Sequence, residues 1–539
     1  MTKVQGEMAD AAQASLGCTD PKALKLGDKA LARNTGFNLI GQLLPFAIGL
    51  LTIPFVVRTL GVDRFGVLSL AWAILGYFTL FDLGLGRATT KVAAECFARN
   101  DLEALPKLAW TSILVQVVIG LIGAGVSFAL VPLVVSSVLK LNGPIAVEAS
   151  QTFYILCAAL PIVLASNTYR GILEAGQRFD LVNYVKVPTT ALLFVGPAVA
   201  VALRNSLPVV VTSIVLSIVL SAVVYALAAV RIFPSLRRLV YDGKMIRTLA
   251  NFGGWITVSN VVGPLLTYTD RVLIGAHLSV AHTSYYSVPS DAATRLWVFP
   301  RSLTSTLFPA FSSFDELRAT DRVSQLYVRS LKLLAVALAL AIGPLIVLAD
   351  VILRVWMGAD FAVQSSPVLR IAVIGVLINS IAWIPFNLLQ GVGRPDLTAK
   401  FHLVELPWYV GTLWPLVIYF GICGAAIAWT LRHVLEAVLL FASCHKLGLV
   451  FLDRYQRHDL TRTLAFVFGF IAASCATVVI PDPYIRLLLT AVLAGGFGWF
   501  GWNLLLNTDD RQFVLASVPY LHRCNRLLSS EPLQADDNV

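Results

Sequence analysis

Asp270, Arg271, Asp291 and Arg295 are four charged side chains set in two apolar runs joined by a short polar loop, between Asn251 and Pro309. A charge at the centre of a membrane helix costs about 2.5–3.5 kcal/mol on insertion scales. Four in one hairpin therefore avoid lipid and pair with one another or line a water-filled cavity, which makes this hairpin the default functional site. Asp291 and Arg295 stand four residues apart and can pair on one helix face. Two readings stay open: a substrate or ion site, and a set of ion pairs that only fixes hairpin packing. A second set of polar residues is made of amides. Asn34, Asn38 and Gln42 recur every four residues in the first apolar run, and Asn260, Pro264, Thr267 and Arg271 share a face further on. Such stripes point inward. They suit hydrogen bonds to a ligand's hydroxyls across a cavity, or interhelical bonds worth about 0.6 kcal/mol on average.

The elements that must position these residues are membrane helices. Of 539 residues, 57% are hydrophobic and 13% charged, where soluble domains carry about 25% charged residues. Mean hydropathy is +0.77. The fold class is all-α and polytopic, with fourteen candidate spans at roughly 35–57, 66–86, 108–135, 151–171, 183–203, 208–232, 251–275, 285–308, 331–356, 367–391, 402–421, 423–446, 462–481 and 484–506. Pro45, Pro54, Pro161, Pro264, Pro344 and Pro385 interrupt spans and allow them to bend. The net charge of +10 sits in short loops, which indicates an orientation signal beside anionic lipid and not nucleic-acid binding.

About thirty of the 41 basic residues fall on one side when the N-terminus is placed inside. Both termini are thus expected in the cytoplasm. Residues 1–33 read as a cytoplasmic tail and not a signal peptide, and 507–539 as a second tail with a weakly amphipathic piece near Phe513 to Leu521. The seven cysteines and seven histidines show no CxxC or HxxxH spacing, and no Walker A, nucleophile elbow, HExxH or GxGxxG pattern occurs. The sequence therefore points to no metal, cofactor or catalytic residue.

A repeat organises the chain. Leu173-Glu-Ala-Gly-Gln-Arg-Phe-Asp-Leu181 aligns with Leu389-Gln-Gly-Val-Gly-Arg-Pro-Asp-Leu397 at an offset of 216, and Leu60-Gly-Val-Asp-Arg with Leu278-Ser-Val-Ala-His at 218. Two nearly equal offsets indicate duplication of a six-span unit, in the same orientation because six is even. That gives an N-lobe at 34–240 and a C-lobe at 248–446, with accessory spans in 462–506. Parallel repeats of this kind hold substrate at the interface between halves. At offset 218, Asp270 and Arg271 correspond to Thr52 and Ile53, and Asp291 and Arg295 to Ala73 and Tyr77. A requirement of the shared fold would appear in both halves, so the asymmetry favours a substrate or ion role.

Four stretches in order carry a resemblance: Pro54-Phe-Val-Val-Arg-Thr-Leu-Gly-Val-Asp-Arg-Phe-Gly66 with Asp82-Leu-Gly-Leu-Gly86; Asp270-Arg-Val-Leu-Ile-Gly275 with Tyr285-Tyr-Ser287; Leu307-Phe-Pro-Ala-Phe-Ser312; and Met357-Gly-Ala-Asp-Phe361 leading to Leu389-Gln-Gly-Val-Gly-Arg394. Over about residues 34–446 the chain resembles the Wzx-type polysaccharide or oligosaccharide flippases of the multidrug/oligosaccharidyl-lipid/polysaccharide (MOP) superfamily. The resemblance implies two six-helix lobes around a central cavity, and movement of an undecaprenyl-diphosphate-linked sugar unit across a bacterial inner membrane by alternating access. It implies a cationic cavity, to which Arg271 and Arg295 would contribute contacts with diphosphate or acidic sugar, since guanidinium matches phosphate bidentately. Asn38, Gln42 and Asn260 would contact sugar hydroxyls, and Asp270 and Asp291 would support the arginines or carry a coupling proton. Membrane lipids, a polysaccharide polymerase and export proteins are the candidate partners. Fourteen spans depart from the twelve of many flippases. Alternatives are a cation-coupled multidrug exporter, a lipid II flippase, whose span-one arginines are missing here, and a glycan polymerase or ligase, whose large periplasmic loop is missing.

Overall fold

The computed structural model describes residues 47–511, apart from 100, 102, 302, 304–319 and 509, with side chains described except at 247, 248, 250–260 and 320–322. In chain order the helices are α1 Ala47–Leu60, α2 Val62–Tyr77, α3 Leu85–Ala98, α4 Ala104–Leu133, α5 Pro144–Ala175, α6 Phe179–Leu203, α7 Leu207–Ile232, α8 Gly243–His277, α9 Val280–Thr294, α10 Thr320–Met357, α11 Ala359–Gly391, α12 Pro395–Lys446, α13 Arg454–Thr477 and α14 Pro483–Phe500. The fold is the all-α polytopic one expected from the apolar runs. Among the described residues, ten helices are long and apolar enough to cross a membrane.

The 52-residue α12 is broken at Gly421, where φ is 57° and ψ −137°. Only glycine adopts such a backbone readily. The chain turns back so sharply there that a Cβ on Gly424 would lie 1.8 Å from the Leu416 carbonyl oxygen. The sequence's eleventh and twelfth spans are therefore the two arms of this one hairpin.

The contacts divide the chain into two compact units. One comprises Met1–Thr59, Leu85–Gly125 and Cys157–Leu249. Within it α6 packs along α7, and buried side-chain bonds join neighbours: Thr89 to Ser112 (3.0 Å) and Thr168 to Gln116 (2.8 Å). The other comprises Leu60–Gly84, Val126–Leu156 and Ala250–Val539. Here α2 and α9 cross with their backbones nearly touching. The Ser284 hydroxyl donates to the Val62 carbonyl (2.7 Å), and a Cβ on Gly66 would stand 1.7 Å from the Val280 carbonyl oxygen. At offset 218, Val62 corresponds to Val280 and Gly66 to Ser284, so the two contacts are one contact seen from both sides of the duplication.

The other repeat pair is also visible in hydrogen bonds. Arg178 Nε and Nη2 donate to Asp180 Oδ1 and Oδ2 (3.0 and 2.8 Å), and Arg394 does the same to Asp396 (3.0 and 3.3 Å). In both turns the preceding residue takes positive φ, Gln177 at 57° and Gly393 at 75°. In both, the arginine N–H donates to the leucine carbonyl five residues back at 2.9 Å.

Helices α13 and α14 are fastened to α10 at two levels. Lys332, 2% exposed, bonds Asp459 (2.5 Å) and Asp510 (3.0 Å), and Arg329 bonds Asp510 (2.8 Å). Nearer the other end of α10, Asp350 accepts two hydrogen bonds from Arg486 (2.8 Å each) and one from Arg370 (3.1 Å). Between these levels, Phe470 lies so close to Gly343 that a Cβ there would be 2.3 Å from the ring.

Candidate functional site

Helices α8 and α9 form the charged hairpin foreseen from the sequence. Ser279 closes its turn, with its hydroxyl accepting from the His282 N–H at the start of α9. This side-chain cap replaces a missing backbone partner at the helix start. The hairpin brings Arg271 of α8 to Asp291 of α9, with Nη2 2.5 Å from Oδ1. Arg271 is 8% exposed, whereas the Asp291 side chain is 41% exposed. The pair is thus sealed on the arginine side and open on the aspartate side. Tyr268 lies under the guanidinium, 5.7 Å from ring centroid to Cζ, and Tyr77 of α2 meets Tyr268 edge-on.

Asp270, 3% exposed, points the other way, and its Oδ2 accepts from the Tyr286 hydroxyl (2.5 Å). The two neighbouring charges serve different partners because adjacent helical residues project about 100° apart. The pairing of Asp291 with Arg295, allowed by their spacing, gives way to the pair across the hairpin. Helix α9 ends at Thr294 and the chain tightens into a 3₁₀ turn at Arg295–Trp297, which turns the exposed Arg295 off the α-helical register. Asn38 and Gln42 lie outside the described residues. Asn260 lies on α8, and its side chain is outside the description.

A second buried polar cluster escaped the sequence reading. It joins the two arms of α12 to α11. His402 and Glu405 come from the first arm, and Arg432, His433 and Glu436 from the second. Arg432 Nη2 lies 2.9 Å from His433 Nε2, and His433 Nδ1 lies 2.9 Å from Glu436 Oε2. A guanidinium only donates, so His433 accepts at Nε2 and carries its proton on Nδ1, donating to Glu436. Asn379 of α11 donates to the same carboxylate oxygen (3.0 Å) and is held by Trp383, which donates to its Oδ1 (3.1 Å). Arg432 also lies over the Tyr409 ring at 5.5 Å, and Tyr409 faces Asp270. Glu405 stands sixteen residues before Gly421 and Glu436 fifteen after. That near-equal spacing about a glycine was the available signal that a hairpin would set them level.

The polysaccharide biosynthesis protein family profile matches residues 31–315. The chain is 28% identical over 411 residues to the "Putative O-antigen transporter" of Shigella flexneri, covering 76% of this chain and 97% of that protein. It is 24% identical to the "Probable low-salt glycan biosynthesis flippase Agl15" of Haloferax volcanii, covering 76% and 82%. Among solved structures, the lipid II flippase MurJ in an inward closed conformation aligns with a TM-score of 0.63 at 14% identity, over 87% of this chain and 99% of that one. An inward-facing multidrug resistance MATE family transporter of the MOP superfamily aligns with the same score and identity, over 78% and 95%. At that identity the likeness is one of fold. With the profile matched over more than half of its residues, the chain belongs to the polysaccharide biosynthesis protein family and has the fold of the MOP superfamily.

Proposed function

We propose that the protein is a flippase that moves an undecaprenyl-diphosphate-linked oligosaccharide repeat unit from the cytoplasmic to the periplasmic leaflet of a bacterial inner membrane, for surface polysaccharide synthesis. The observation that carries the reading is the buried Arg271 paired with a half-open Asp291, inside a family named for polysaccharide biosynthesis. A diphosphate or acidic sugar arriving from the Asp291 side meets a guanidinium already desolvated and aimed. It competes with one carboxylate that water can take over. Arg295, exposed at the end of α9, supplies a second cation. The lobes at 34–240 and 248–446 would rock about the site with both termini in the cytoplasm. Relatives named as an O-antigen transporter and as glycan flippases support the substrate class.

The test is reconstitution. Purified protein in liposomes should carry a lipid-linked oligosaccharide from one leaflet to the other, and Arg271→Ala should slow it at least about tenfold, the equivalent of about 1.4 kcal/mol of substrate interaction. In cells lacking the gene, the native chain should restore surface polysaccharide while Arg271→Ala leaves intermediates in the cytoplasmic leaflet. If liposomes with the native chain move no glycan while a known flippase does so in parallel, the proposal fails.

A further inference from the structure

We infer that His402 and Glu405 form a proton-binding site within the bundle, on the fold of α12 and apart from the charged hairpin. The inference deepens the flippase reading by assigning the ion that such a transporter would exchange. Glu405 is fully buried, and neither of its carboxylate oxygens has a hydrogen-bond partner among the described residues. His402 Nδ1 is likewise without one and stands 3.5 Å from Glu405 Oε2. A buried carboxylate without donors carries a desolvation cost that a proton removes. The geometry gives a proton its seat between Oε2 and the imidazole nitrogen, two buried atoms 3.5 Å apart that lack any other hydrogen-bond partner among the described residues.

The neighbours point to the same position. Among the described residues, the groups around Glu405 are these. From the second arm of α12, Arg432 Nη1 is 4.0 Å from Oε2, too far for a hydrogen bond, and its Nη2 is committed to His433. His433 is held neutral by accepting from Arg432 and donating to Glu436, so protonating it would break the arginine contact. Glu436 already receives His433 and Asn379 and is settled as a carboxylate. Helix α11 presents the neutral Asn379 and Trp383, with Arg301 over the Trp383 ring at 5.9 Å. Towards α8 and α9 stand Tyr409, then Asp270, which is bonded to Tyr286. Glu405 is thus left with no cation within hydrogen-bond reach, the nearest, Arg432, standing 4.0 Å away. A proton shared with His402 supplies the partner that its oxygens lack. A divalent metal held by His402, Glu405 and Glu436, whose ligand atoms lie within 4.8 Å of one another, would bring two further positive charges up against Arg432. The His402 side chain, 30% exposed against 0% for Glu405, gives the proton its way in.

Infrared difference spectroscopy on the full-length protein in lipid, stepped from alkaline to acidic pH, reads the site without any transport. A buried protonated carboxyl should give a C=O stretching band that is lost in Glu405→Gln and kept in Glu436→Gln. His402→Gln should move its pH midpoint, a change that simple loss of packing would not produce in a band still present. A band that survives in Glu405→Gln overturns the assignment. So does a spectrum that answers to added Zn²⁺ or Na⁺ and not to pH, which would place a metal ion there. In liposomes, an imposed pH gradient should accelerate glycan movement by the native chain and lose that effect in Glu405→Gln. If no glycan moves in any sample but the Glu405 band is present, the flippase reading fails and the proton site stands.

Discussion

The Ser284 hydroxyl donates to the Val62 carbonyl across 2.7 Å, and its duplicate position, Gly66, presses on the Val280 carbonyl with no room for a side chain. Helices α2 and α9 are consequently held at a backbone-to-backbone distance. Gly66→Ala must push them apart, because the obstructing atom is main chain and cannot swing away. Overpacking of this kind costs about 1–3 kcal/mol, and a main-chain obstacle puts it at the upper end. Thermal unfolding in detergent should show a clear loss for Gly66→Ala and little change for Gly125→Ala, where nothing lies within 4 Å of an added Cβ. Equal midpoints for the two variants would contradict the tight crossing.

Arg271 and Asp291 should show measurable coupling. A double-mutant cycle with Arg271→Met and Asp291→Asn, read by chemical denaturation, is expected to give an interaction of about 0.5–3 kcal/mol. Asp291→Asn alone should cost more than its half-exposed position suggests, since it strips a buried guanidinium of a partner. Additive single effects would remove the pair from the account.

Tyr286→Phe deletes the hydroxyl that donates to Asp270 and changes little else in volume. A buried carboxylate that loses a donor costs about 1–3 kcal/mol. Asp270→Asn, which can still accept from Tyr286, should be milder. A lowered midpoint for Tyr286→Phe, and a smaller shift for Asp270→Asn, is the expected order, and the reverse order counts against this bond.

The fastening of α13 and α14 to α10 is sensitive to acid. Burial pushes the Asp510 carboxyl up, but hydrogen bonds from Arg329 and Lys332 outweigh it and hold the group below its ordinary value. A depressed carboxylate contributes stability that is fully present above its unfolded pKa, near 3.9, and lost as pH falls through the folded value. Thermal stability should therefore decline below about pH 4, and Asp510→Asn should flatten that decline. Lys332→Met at neutral pH strips Asp459 of its buried cation and leaves Asp510 to Arg329 alone, and should cost about 3–5 kcal/mol. A stability curve unchanged by Asp510→Asn would argue against this network.

Local chemistry was what the sequence revealed best. The Arg178 and Arg394 segments could be matched in the sequence because their hydrogen bonds join residues two to five apart. The helices followed from hydropathy, since a bilayer demands internally satisfied backbones. The charged hairpin itself was legible from four charges in apolar runs, but its pairing was not. Spacing assumes an unbroken α-helix through Arg295, and the chain changes pitch there. The α12 cluster was hidden for a related reason. A search for histidines spaced like metal ligands passes over His402 and His433, whose partners meet only after the chain reverses at Gly421.

That reversal matters before the protein does any work. As α12 leaves the ribosome, its first arm brings a glutamate and its second an arginine, and either one alone is costly at the centre of a bilayer. The break at Gly421 leaves almost no linker between the arms. They can slide into lipid as one folded unit with the polar groups of both arms already facing each other. Lengthening the turn, or replacing Gly421 with a residue that resists positive φ, would then show first as failed membrane insertion during synthesis, ahead of any defect in the finished molecule.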